Sequence, residues 1–253
     1  MLMMSSRTFA HRGSSVLADD QEAQVQAGAL SSDLHLPGEW VSSLITFIAD
    51  VMPSWRDDPT RPPQVAETGL TAQLCARLNS ITRQTVGWDF LQFRREEPDL
   101  TRAGRSIDLA VAPSGAIIWI EGREYNDYST LLPIECKRLP TPTGRDRDER
   151  EYVYSRFSTT GGVQRFKAGH HAAAHDRAAM IGYVQGKDIA FWQTKLDSWI
   201  NSLVATSCKG WSADDKLSLT DHHHANRVAS LRSIHSRDAG LEPIMIDHLW
   251  IEM

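Results

Sequence analysis

Three charged side chains stand in segments whose neighbours are those of buried strands. Residues 105–111, Arg-Ser-Ile-Asp-Leu-Ala-Val, set Asp108 in one apolar run, and residues 131–139, Leu-Leu-Pro-Ile-Glu-Cys-Lys-Arg-Leu, set Glu135 and Lys137 in another. A buried charge is costly unless it is paired or coordinates a metal. Successive strand side chains alternate faces, so Glu135 and Lys137 share one face while Ile134, Cys136 and Arg138 share the other. If Asp108 comes from a neighbouring strand, two carboxylates converge. With the Cys136 carbonyl they make an oxygen set suited to a hard divalent cation, Mg2+ or Mn2+. Such a cation lowers the pKa of a bound water, and a lysine beside it orients that water or helps deprotonate it. The result is a nucleophile suited to phosphorus.

Positioning those residues requires a sheet, and the pattern supplies one. Trp40, Val41, Leu44, Ile45, Phe47, Ile48 and Val51 recur at helical spacing and are expected to stop at Pro53. After a proline-rich connection, residues 67–81 form a second helix with Leu70, Leu74, Leu78 and Ile81 on one stripe. Strands are expected at 89–96, 106–111, 116–121 and 132–138, with Pro113-Ser114-Gly115 turning the second into the third as a hairpin. Gly161 and Gly162 open a helix expected to run to about residue 178, followed by a strand at 180–184. A helix over 189–205 carries Trp192, Leu196, Trp199 and Ile200, whose spacing marks them as core, and two last strands fall at 229–236 and 244–251. This is an α/β (α+β) plan with one central mixed sheet flanked by helices. Residues 1–37 show little hydrophobic periodicity and read as a mobile N-terminal arm before one domain over 38–253.

Composition narrows the classes. The chain has 253 residues, 41% hydrophobic and 23% charged, with a net charge of −5. An acidic balance argues against bulk coating of nucleic acid, so any DNA contact must be local. Cys75, Cys136 and Cys208 lie far apart without C-x-x-C spacing, which argues against a disulfide framework or zinc ribbon and suits a reducing cytoplasm. The start resembles no signal peptide, and no run is long enough to span a membrane, so no membrane partner is expected.

Asp108, a spacer and Glu135-Cys136-Lys137 resemble the signature of the PD-(D/E)XK nuclease superfamily, the restriction-endonuclease-like fold. The resemblance implies metal-dependent cleavage of phosphodiester bonds in DNA. It covers roughly residues 65–185. Many members place a glutamate at the start of an earlier helix to hold or position metal, and Glu67 matches, with Leu70, Leu74 and Leu78 following on its own helix face. A polar residue on the helix after the E-x-K strand is frequent in the family; Gln164 fits it, as a group that orients substrate or Lys137. Arg165 and Lys167 beside it, and Arg156 before it, are expected to take phosphate. The chain departs from the pattern in having no proline before Asp108 and twenty-six residues between Asp108 and Glu135, a gap that a hairpin strand at 116–121 would fill.

Other clusters read as structural. His171 and His175, with His170 beside them, fall one helical turn apart but lack the glutamate of a zinc H-E-x-x-H site. His222, His223 and His224 read as a loop tip, and residues 145–151, of alternating charge, as a solvated loop. No recognition domain or P-loop is evident. Target choice is therefore expected to come from oligomerisation or from a partner such as an ATPase or sensor, as in effector nucleases of bacterial anti-phage defence. Two other readings use the same residues: a catalytically silent relative that binds a partner protein or nucleic acid, and a nuclease directed at RNA.

Overall fold

The first helix, α1 (Glu39–Arg56), buries Trp40, Leu44, Ile45, Ile48, Val51, Met52 and Trp55, the face its spacing marks out. It continues through Pro53 instead of stopping there. Burial of Trp55 and Arg56 holds the last turn, and Arg56 Nη1 donates to the carbonyls of Asn226 at 2.7 Å and Glu252 at 3.3 Å. Helix α2 (Glu67–Thr82) buries Leu70, Leu74 and Leu78, and Glu67 is its first residue. This computed structural model describes residues 39–98, 105–120, 122–157, 161–238 and 240–253; the expected arm at 1–37 lies outside them.

The strands are β1 (Leu91–Pro98), β2 (Ser106–Pro113), β3 (Ile118–Ile120), β4 (Arg123–Tyr125), β5 (Leu132–Leu139), β6 (Arg177–Val184), β7 (Ser218–His223), β8 (Val228–His235) and β9 (Ile244–Glu252). Seven form one mixed sheet in the order β1-β2-β5-β6-β9-β8-β7. The pairs β5–β6 and β6–β9 are parallel and the other four antiparallel. Helix α3 (Gly162–Lys167) lies on the crossover from β5 to β6, and α4 (Ile189–Ala205) follows β6. In the central strands successive side chains point to opposite faces of the sheet, and both faces are covered. Ile134, Cys136, Ile181, Leu249 and Ile251 join α1 and α2, whereas Leu139, Met180, Ile246 and Trp250 join α3 and α4. No helix among the described residues is long and apolar enough to cross a membrane.

Four expectations are corrected. Residues 118–120 do not make a hairpin with β2, because β1 and β5 already occupy both of its edges; they pair with β4 in a separate two-stranded ribbon that turns at Gly122, φ 77°. The helix expected to reach about residue 178 ends at Lys167. Gly169 and Ala172 take positive φ values of 63° and 55°, and the amides of His170 and His171 turn back to the Arg165 carbonyl. The stretch around His222 is an edge strand, β7, whose side chains are almost all exposed and so show no alternation. The charged run is not fully solvated: Asp148 is buried and accepts from the Arg150 guanidinium and from the backbone amides of Arg150 and Arg156.

Candidate active site

β2 and β5 pair through Leu109↔Ile134, Ala110↔Pro133 and Val111↔Leu132, and there the ladder ends. Beyond it a side chain replaces a backbone partner: Asp108 Oδ2 accepts from the Cys136 amide at 2.8 Å. The ribbon of β3 and β4 takes up the long spacer while β2 and β5 pair directly, so the spacer does not hold Asp108 away from Glu135.

Glu67 arrives from the first turn of α2, where the helix dipole favours an anion, and its Oε2 accepts from the Arg138 amide at 3.0 Å. The Lys137 ammonium then sits at the focus of the set. It lies 2.8 Å from Glu135 Oε1, 2.9 Å from the Cys136 carbonyl, 3.4 Å from Glu67 Oε1 and 3.8 Å from Asp108 Oδ2. Glu135 is fully buried and its Oε1 also accepts from Arg165 Nη1 at 2.7 Å, while its Oε2 has no hydrogen-bond partner among the described residues. The His171 imidazole is buried beside this carboxylate, with Nε2 3.9 Å from Oε2 and 3.2 Å from Arg165 Nη1.

The charges polarise one another. Burial, with the Glu135 charge beside it, raises the Asp108 carboxyl to about 7 against the pull of Lys137 and the Cys136 amide. Burial also works to raise Glu135, but Lys137, Arg165 and His171 outweigh it and keep this carboxyl low. Burial works to lower Lys137, and Glu135, Asp108 and Glu67 outweigh that too, so the amine stays protonated well above its usual range. Of the two roles open to Lys137, orienting a water suits this state better than accepting its proton.

The donor set fits a hard cation in type. It offers carboxylate oxygens of Glu67, Asp108 and Glu135 and the Cys136 carbonyl, all within 3.8 Å of one ammonium, with a buried carboxylate oxygen left over. It is not a closed cage: among the described residues no three His, Cys, Asp or Glu side chains stand close enough to grip an ion by themselves. Lys137 instead fills the point at which they aim.

The remaining sequence candidates divide. Gln164 does not face the site; its Oε1 accepts from the Ser155 amide at 3.0 Å. The residue of α3 that reaches Glu135 is its neighbour Arg165, an ion-pair partner in this structure and not a free phosphate contact. Lys167 is corrected outright. It is buried under the Trp211 ring and paired with Asp215, so its ammonium is closed to phosphate. Arg156 is exposed and lies over Phe157, 4.6 Å from the ring centre. His171 and His175 are not on a helix, and His175 Nε2 lies 2.8 Å from the Thr130 carbonyl instead. His222, in β7, and His224, in the turn after it, have ring centres 3.7 Å apart with planes tilted by 39°.

Sequence reasoning missed the contacts of Arg165 and His171 with Glu135. On α3 the buried residues are Gly162, Val163, Phe166 and Lys167, and at 3.6 residues per turn Gln164 and Arg165 flank that stripe on opposite sides. Periodicity alone treats the two flanks alike. Only the turn after Lys167 brings His171 back to the site. Comparison with family models, with curated proteins and with solved structures finds no match for this chain.

Proposed function

We propose that the chain is a metal-dependent DNA endonuclease of restriction-endonuclease-like architecture. One observation carries this reading: Asp108, Glu135, Lys137 and Glu67 meet where two strands of a mixed sheet part company. The succession α2-β1-β2-β5-α3-β6, with β5 and β6 parallel, is the frame such a nuclease would use. Glu67, Asp108, Glu135 and the Cys136 carbonyl would hold Mg2+ or Mn2+, which supplies charge neutralisation at the phosphate and a more acidic water. Lys137 orients the attacking water. A partner that licenses cleavage, such as an ATPase or sensor in anti-phage defence, and a cytoplasmic setting compatible with three free cysteines, belong to the same proposal.

A second reading has an observation of its own. Glu135 Oε1 is already held by both Lys137 and Arg165, as in a silent subunit that keeps the fold for binding. The two separate on plasmid DNA with Mg2+ or Mn2+, using the chain alone and with the products of neighbouring genes. The nuclease reading expects nicking or linearisation that a chelator abolishes and that falls at least about a hundredfold in Glu135→Ala and Lys137→Ala. Cleavage surviving both substitutions would refute this site.

A further inference from the structure

We infer that Arg165 is an internal latch on Glu135, a counter-ion that holds this carboxylate in the metal-free protein and gives it up when a divalent cation binds. The inference rests on the metal-site reading above and adds to it a control on metal loading.

Three carboxylates, Glu67, Asp108 and Glu135, face two protein cations, Lys137 and Arg165. A doubly charged ion among them leaves surplus positive charge in a poorly hydrated site, and one protein cation must withdraw. The two are not equally held. Lys137 touches all three carboxylates and a backbone carbonyl, and 10% of its side chain is exposed. Arg165 touches only one of the carboxylates, through an oxygen it shares with Lys137, and 24% of its side chain is exposed. It also rides on a helix of only six residues. Arg165 is therefore the cation that leaves. Its planar guanidinium, once released, suits a phosphate oxygen pair better than a lysine would. Until then it competes with metal for Glu135, so the chain by itself loads metal weakly.

Titration of the full chain with Mn2+, read by electron paramagnetic resonance of the free ion, tests this. Arg165→Met, which keeps the stem and drops the charge, should bind Mn2+ about tenfold more tightly than the wild type, and Arg165→Lys should stay near the wild type. A second measurement reads the wild type directly. The nitrogen-15 signal of Arg165 Nε, assigned by its loss in Arg165→Lys, should move when Mg2+ is added. An affinity that does not rise in Arg165→Met, or a wild-type Arg165 signal that stays in place, overturns the latch while Mn2+ binding lost in Glu135→Ala leaves the site standing. No Mn2+ binding by the wild type or by Arg165→Met overturns the site itself.

Discussion

Half-buried Asp108 and buried Lys137 answer desolvation in opposite ways. An isolated buried acid and an isolated buried amine would both become neutral. Here three carboxylates keep Lys137 charged, and the unequal division of cations leaves Glu135 ionised while Asp108 is raised to about 7. The metal-free protein should thus show one carboxyl titrating near neutrality, followed by carbon-detected NMR of the aspartate side chains. Glu135→Gln removes the second cause of that shift and should move the titration down; Lys137→Met should move it up. A titration near 4 in the wild type would mean that Asp108 is far better solvated than its 32% exposed side chain suggests.

At the level of elements, short pieces with sharp ends do the positioning. α3 is under two turns long, and it lies against the backbone of the preceding loop because its N-cap, Gly161, and its first residue, Gly162, lack a side chain. A Cβ on Gly161 would come within 2.5 Å of Tyr154 Cα and 2.8 Å of the Ser155 amide, main-chain atoms that cannot rotate away. Gly161→Ala should therefore cost about 1–3 kcal/mol in urea unfolding and displace Arg165 with the helix. Gln164→Ala should leave metal binding unchanged, since Gln164 serves the Ser155 amide and not the carboxylates. Helices α1, α2 and α4 were legible from their apolar spacing, α4 to its terminal residues; the strands of the site, β2 and β5, were legible as apolar runs. The polar edge strand β7 was not, because its side chains meet solvent on both faces and nothing selects an alternation.

Across the whole molecule the sheet separates two cores, and the α3/α4 side contains a buried polar chain. Trp250 Nε1 can only donate, and it donates to the Tyr152 hydroxyl at 2.8 Å. At the other end the Asp215 carboxylate can only accept, so with both imidazoles neutral the chain runs one way: Tyr152 donates to His248 Nδ1, His248 Nε2 to Ser233, Ser233 to His235 Nε2, and His235 Nδ1 to Asp215, at 2.6–2.9 Å. Every member is satisfied with both imidazoles neutral, and burial depresses both their pKa values. Trp250→Phe removes the one obligate donor at the head of the chain and should cost about 1–3 kcal/mol. Below the ordinary value of 6.5 the unfolded chain binds protons that folded His235 and His248 refuse, so this stability is present above 6.5 and is lost as pH falls. Asp108 acts oppositely, since folded Asp108 holds its proton up to about 7. Urea unfolding at pH 7.5 and 5.5 should then show a larger acid loss in Asp108→Asn than in the wild type, by about 2 kcal/mol over the two units for the one proton no longer compensating.

The sequence by itself determined what is local and periodic. It marked the buried faces of α1, α2 and α4, the strand character of the segments around Asp108 and Glu135, and the anomaly of charge within them, because apolar spacing and the cost of burying a carboxylate are properties of a segment and its neighbours. Tertiary structure alone decided which strand edges were free, which flank of α3 met β5, and where the chain turned after Lys167. Those choices rest on contacts between residues far apart in the chain: β5 occupying the edge of β2 that residues 116–121 were expected to take, Arg165 meeting Glu135 across thirty positions, and Lys167 drawn inward by Asp215. A charge written in the sequence says that a partner must exist; only the folded chain says which one.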